Sequence, residues 1–338
     1  MRDRSQLVLP MELGIKIAEN DPVRKLIEIC EELDYTELYK RYVRRWRKVS
    51  PETLFELVVF GYMQRRFSTR QIEEACRTDI RFMWILQGEP VPDHSTIDRF
   101  LDKRLADVIE DLFYQLVDRL CVLGEVRYRN MFVDGTKLEA YANRYTFVWK
   151  KAVEKNLKKL EAKIAVQLPV IAERYGMDSW VSAEDACESL VSYARMLGIE
   201  FVHGSGKRKT QLQKDIEFIG EFTEKKAEYL EHLGKMKNRN SYSKTDTDAT
   251  FMRMKDDYMR NGQLKPAYNV QIAVNSEYIT GVDVFSNRTD FGTMVPFLKR
   301  LQHCHEAKYE EVVADAGYES LDNYLYLEDN GQLSFIKP

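Results

Sequence analysis

Long apolar runs are missing from this sequence of 338 residues. None approaches the roughly 18 residues needed to cross a bilayer, so no transmembrane helix is expected. The opening stretch MRDRSQLVLP lacks the apolar core of a secretory leader, and no signal peptide is expected. Cysteine is scarce. Cys30, Cys76, Cys121, Cys187 and Cys304 stand far apart, with no CxxC pair and no zinc-like spacing. This excludes a disulfide framework and a zinc ribbon, and fits reduced thiols in a cytosolic protein. Internal repeats and low-complexity tracts are also absent. HGSGKRK, residues 203–209, has glycines and cations but not the GxxxxGK(S/T) spacing of a phosphate loop, so it reads as a linker or hairpin tip. A large charge excess is lacking too: 51 Lys/Arg face 54 Asp/Glu, a net −3 that does not by itself announce a nucleic-acid binder.

What is present is enough apolar sequence, 44%, for a soluble globular chain of two or three domains. Residues 1–129 read as helical, with five or six short helices compatible with a helix-turn-helix-like bundle. Ser50-Pro51 is an N-cap followed by proline in the first turn. Ser68 with Gln71 has the form of a capping box. IRFMWILQG is a short apolar segment ended by Gly88, and Asp93 or Ser95 caps the helix that follows. Near residue 130 the period changes. RNMFVDG is a short strand. Apolar positions from Val153 to Ile171 and from Leu212 to Met236 then recur at helical spacing, as two arms of a helical hairpin over about 150–240, and Pro169 should kink or end the first arm. YNVQIAVN alternates with period 2 and forms a hairpin with YITGVDVFS. A helix from FGTMVPFLKRLQHCHEA, a strand in YEEVVADAGYES, a further helix and the strand GQLSFIKP complete the order.

Two of these strands end alike, FVDG at Asp134 and VVADAGY at Asp315. An aspartate there is commonly a solvated turn residue. The alternative is that both carboxylates, buried at sheet ends, need a partner. Divalent cations with hard oxygen ligands, Mg²⁺ above all, would serve two such groups and leave positions for phosphate oxygens. Asp246 and Asp248, in TDTDAT, have the DxD form of a metal loop or of a capped turn. HCH, His303 to His305, places its histidines on different helix faces and reads as a helix-end cluster.

Basic residues concentrate in one stretch: residues 40–70 hold nine Lys/Arg against two Glu. Arg41, Arg44, Arg45, Arg47 and Lys48, with the neighbouring Arg65, Arg66 and Arg70, form either a solvated helix face or a set of phosphate contacts. Arg99 and Arg104, on and after STIDRF, are a second set, and Lys265 is either a surface lysine or a third phosphate contact.

The segments FVDGTKLEAYANRYTFVWKK, TDTDATFMRMKDDYMRNGQLKPAYNVQIAV and VVADAGYES resemble bacterial insertion-sequence transposases of the DDE type. STRQIEEACRTDIRFMWILQGEPVPDHSTIDRF resembles that family's DNA-end-binding region, and the similarity covers nearly the whole chain. The resemblance implies an α+β/α/β chain: a helical DNA-end-binding domain at 1–129, then a ribonuclease H-like mixed sheet at 130–338 with a long helical insertion. It implies metal-dependent phosphodiester hydrolysis and strand transfer, with two Mg²⁺ or Mn²⁺ ions. Asp134 would help bind both ions and Asp315 would complete the shell of one. It further implies terminal inverted repeats and target DNA as partners, a homo-oligomer on DNA, no membrane, and a cytoplasmic, nucleoid-associated location. The family carries a third acid, a Glu on a helix after the fifth strand. SFIKP falls about where that strand should end, and no residue here matches the Glu; Glu319 and Glu328 are expected to face solvent. Weak or absent catalysis is therefore expected of this chain, and an inactive truncated transposase, binding ends or intact enzyme as inhibitor or remnant, is the alternative.

Overall fold

The computed structural model describes residues 16–42, 48–178, 180–204, 208–254, 262–305 and 308–337. Arg44, Arg45 and Arg47 of the basic run, and 205–207 of HGSGKRK, lie outside the described residues. The chain divides into two compact units. One comprises Met1–Met131, Val274–Gly281 and Arg300–Glu310; the other comprises Phe132–Ala273, Val282–Lys299 and Glu311–Pro338.

In the first unit the helices are α1 (Pro22–Cys30), α2 (Thr36–Lys40), α3 (Pro51–Met63), α4 (Thr69–Thr78), α5 (Ile80–Leu86), α6 (His94–Phe100) and α7 (Ile109–Val122). Local sequence sets most of their starts. Ser50 accepts from Thr53 N, with Pro51 in the first turn. Ser68 and Gln71 form both bonds of a capping box. Asp93, not Ser95, caps α6 by accepting from Thr96 N. Among the described residues seven helices stand where five or six were expected; α2, at five residues, is too short to show a period. Leu57 and Phe60 of α3, Ile72 of α4, Phe82 of α5 and Ile97 of α6 have no accessible surface and form the centre of this core. After α6 the backbone widens into one π turn, Leu101–Leu105, closed by Ala106 N donating to Leu101 O.

The remaining elements are β1 (Asn130–Glu139), β2 (Phe147–Trp149), α8 (Lys150–Tyr175), α9 (Ala183–Met196), α10 (Gln211–Met236), β3 (Ser241–Ser243), β4 (Thr250–Arg253), β5 (Leu264–Asn275), β6 (Tyr278–Phe285), α11 (Met294–His305), β7 (Glu311–Ala314), α12 (Leu321–Asp329) and β8 (Leu333–Ile336). The main sheet runs β4-β5-β1-β7-β8, with β6 on β5. It is mixed: β4 and β5 are antiparallel, β7 and β8 parallel. The N-terminal helical region and the mixed sheet with helices match the expected class at that level. Within the first unit, the HCH run resolves as a packing feature. His305 is almost fully buried, with Nε2 at 2.9 Å from Thr280 O and its ring edge-on to Tyr114, whereas His303 is exposed.

The helical insertion differs from expectation. Among the described residues it has three helices rather than two arms, because α9 packs with α8 and α10. Ser182 caps α9 by accepting from Asp185 N, and Ala186, Leu190 and Ala194, at every fourth residue, join Ile164, Ile219 and Phe222 in one core. Pro169 does not end α8. The helix runs through it, forgoing the bond its nitrogen cannot donate, and stops at Gly176, whose left-handed φ of 62° closes the C-terminus.

Glu56 of α3 is a half-buried acid in the first unit. It borders a cavity of about 380 Å³ shared with Arg24, Glu28, Glu31 and Trp84. Burial, then the charges of Glu52, Glu31 and Glu89, pushes its carboxyl up to about 7. The unfolded carboxyl titrates near 4.5, so the folded state holds the proton between about 4.5 and about 7, and stability is lost as pH rises through that window. Glu56→Gln is expected to flatten this dependence and to stabilise the protein at pH 8 by on the order of 1–3 kcal/mol. Urea unfolding at pH 5 and pH 8 measures it; an unaltered pH slope in the variant would contradict a proton held on Glu56.

Candidate active site

Asp134 and Asp315 stand on neighbouring strands. β1 and β7 are adjacent in the sheet, with Asp134 within β1 and Asp315 immediately after β7. Two details correct the reading from sequence. Asp134 does not end its strand, because β1 continues to Glu139. Neither carboxylate is buried: Met131, Val133 and Gly135 point inward while Phe132 and Asp134 face out, and Asp315 is exposed. The cost of burying charge therefore does not demand a cation here. Each aspartate is oriented by its own backbone: Asp134 Oδ1 accepts from Gly135 N at 2.8 Å, and Asp315 Oδ1 accepts from Gly317 N at 2.9 Å, capping the 3-10 turn Ala316–Tyr318.

Beneath them lies a polar layer that sequence reading missed. The alternation in β5 is real, but its polar members are the buried ones. Asn269, Gln271 and Ala273 have no accessible surface, whereas Tyr268, Ile272 and Val274 keep some. Asn269 Nδ2 donates to Asp290 Oδ1 at 2.7 Å, and Gln271 Nε2 donates to the same oxygen at 3.1 Å and to Asn269 Oδ1 at 3.0 Å. The Tyr318 hydroxyl donates to Gln271 Oε1. Burial, then the charges of Asp290, Asp134 and Asp315, holds that phenol well above the usual tyrosine range, so it stays a protonated donor. Asn323 of α12 supports the turn by donating to Tyr318 O at 2.7 Å and Phe291 O at 3.0 Å. Asp290 sits in a loop, in RTDFGT, and no periodicity or motif singles it out.

Two glycines record how closely these parts approach. A methyl group on Gly135 would lie 2.6 Å from Gln271 Nε2 and 2.7 Å from Asp290 Oδ1. One on Gly317 would lie 3.0 Å from Asp315 Oδ1 and 3.5 Å from Asp290 Oδ2.

Among the described residues, no three His, Cys, Asp or Glu side chains are grouped to hold a metal ion. The Asp134–Asp315 pair nevertheless suits Mg²⁺ by donor type. That ion takes one or two protein carboxylates and fills its remaining positions with water and phosphate oxygens.

The other candidates are distributed as follows. Asp246 is a turn residue, accepting from Asp248 N, Ala249 N and the Tyr268 hydroxyl, while Asp248 is exposed. Glu319 and Glu328 are exposed. Lys265 Nζ pairs with Glu139 Oε2 at 2.7 Å. In the helical unit Arg41 pairs with Asp107, Arg66 lies over the Phe82 ring, and Arg104 donates to Arg41 O and covers Tyr42. Lys48, Arg65, Arg70 and Arg99 are exposed, Arg99 with its Nε on Ser95 O.

Gly135→Ala is expected to cost about 1–3 kcal/mol through overpacking against Gln271 and Asp290. Thermal unfolding reads this directly; a variant as stable as the parent would mean that β1 and the polar layer are looser than described.

Comparison with protein families matches two models. Residues 11–103 match the Transposase domain (DUF772), and residues 239–338 match the Transposase DDE domain. The second match includes Asp290 and Asp315 and begins after Asp134. A comparison with curated proteins returned no match. With a transposase domain in its helical part and a DDE domain in its sheet, the chain belongs to the DDE transposases of insertion sequences.

Proposed function

We propose that Asp134 and Asp315 are two ligands of the divalent-ion site with which a DDE transposase hydrolyses phosphodiester bonds at insertion-sequence ends and transfers the freed strand, carried on a ribonuclease H-like sheet. The observation that carries this reading is the exposure of both carboxylates on neighbouring strands, within electrostatic reach of one phenol, Tyr318. Bound Mg²⁺ or Mn²⁺ supplies charge stabilisation to the reacting phosphate and activates the attacking oxygen. The protein's own part is positional. Gly135 N and Gly317 N orient the two carboxylates, and the outward face of β1 leaves Asp134 open to a phosphodiester arriving from solvent. Tyr318 keeps its proton, donates it in a hydrogen bond to Gln271 Oε1, and takes no part as a base.

Residues 1–129 bind the element's ends in this reading, and 130–338 carry the chemistry. The exposed cations Arg70 and Arg99 of the helical unit support the first role. Each guanidinium that meets a phosphate releases condensed counterions, so affinity falls with salt.

Two measurements test the reading. Asp134→Asn and Asp315→Asn are each expected to weaken Mn²⁺ binding by on the order of tenfold or more and to remove any Mn²⁺-dependent nicking of a plasmid carrying the element's ends, with DNA binding retained. Variants that bind Mn²⁺ like the parent would sink the assignment of these ligands. For the ends themselves, Arg70→Ala and Arg99→Ala should each reduce the slope of log affinity against log salt by about 1. An unchanged slope would remove that arginine from the interface.

A further inference from the structure

Asp290 lies between the two backbone segments that carry the candidate ligands, and its two oxygens serve different sides. Oδ1 takes both carboxamide donors of β5 and faces Gly135, the residue after Asp134. Oδ2 is the oxygen nearer Gly317, within the turn that Asp315 opens. The donors are Asn269 and Gln271, both without accessible surface, so losing their acceptor would leave buried N–H groups unsatisfied, which is costly. Gln271 passes the connection on by accepting from Tyr318. Asp290 is itself held from behind, where its carbonyl accepts from Thr293 N at 3.0 Å and Thr293 Oγ1 at 2.7 Å.

We propose that Asp290 is a positioning residue: it anchors a brace of Asn269, Gln271 and Tyr318 that fixes Asp134 and Asp315 relative to each other. The role rests on the reading of those two aspartates as a metal-binding pair. It asks nothing of Asp290 but an acceptor oxygen of the right size. An asparagine keeps that oxygen for Asn269 and Gln271, whereas an alanine removes the acceptor of Asn269 Nδ2, leaves Gln271 Nε2 only its bond to Asn269 Oδ1, and opens a gap against Gly135 and Gly317.

The test uses the full chain with Mn²⁺ as probe, comparing the parent with Asp290→Asn and Asp290→Ala. Amide hydrogen exchange of peptides spanning 131–137 and 314–319 reads the brace, and peptides from α8 to α10 serve as internal control. Asp290→Ala is expected to speed exchange at both site peptides about tenfold, with the control unmoved. It is also expected to weaken Mn²⁺ binding about tenfold or more. Asp290→Asn should restore both. Exchange unchanged in Asp290→Ala overturns the brace. Asp290→Asn losing Mn²⁺ as severely as Asp290→Ala, with exchange normal, overturns positioning in favour of a direct ligand. If Asp290→Ala does not fold, Tyr318→Phe removes a single hydroxyl from the brace and should speed exchange at 314–319; no change there overturns the proposal. A parent chain that binds no Mn²⁺ refutes the metal-pair reading, and the exchange results then decide the brace by themselves.

Discussion

One carboxylate oxygen, Asp290 Oδ1, accepts from two carboxamides that have no contact with water. Polar groups buried without partners are expensive, and β5 buries several on one face. The convergence on Asp290 is what makes that face tolerable. It also sets how the neighbouring strand must be built: β1 passes so close that position 135 has no room for a side chain, and the aspartate before it turns outward as the strand alternates. The exposure of Asp134 is thus tied to the polar layer underneath it. The layer continues into the turn after β7 through Tyr318, whose phenol is kept neutral by burial and by three nearby carboxylates.

The helical unit is organised differently. Its helix starts are set by contacts three residues away, at Ser50, Ser68 and Asp93, and its interior is apolar. Glu56 is the exception, a half-buried acid beside a polar cavity, with its proton retained toward neutral pH. In the proposed function, exposed arginines, not a buried polar network, would meet phosphate in this unit. The two units would therefore meet nucleic acid through different physics in the proposed function: screened surface charge in one, and oriented carboxylates over a hydrogen-bonded polar layer in the other.

These differences explain what could be read from sequence. Capping boxes and proline starts are local, so Ser68-Gln71 and Ser50-Pro51 were legible as written. Asp134 and Asp315 were legible as residues following apolar runs, although the burial inferred for them was wrong because alternation in β1 turns Asp134 outward. Period 2 revealed β5 but not which of its faces is buried; the answer lay in Asp290 and Tyr318, 21 and 47 residues away from their partners Asn269 and Gln271. α9 escaped notice because three of its four buried positions, Ala183, Ala186 and Ala194, are too small to mark an apolar stripe. α2 was simply too short.

The α8–α10 insertion leaves and re-enters the sheet region through a narrow neck. β2 and β3 pair over three residues, Phe147 with Ser243 through Trp149 with Ser241, so the chain departs and returns at nearly the same point. The three helices between have their own core. The number of residues separating Asp134 from Asp315 along the chain is therefore geometrically idle. An insertion tethered at one short stem can lengthen or shorten while the strands that carry the two aspartates keep their spacing.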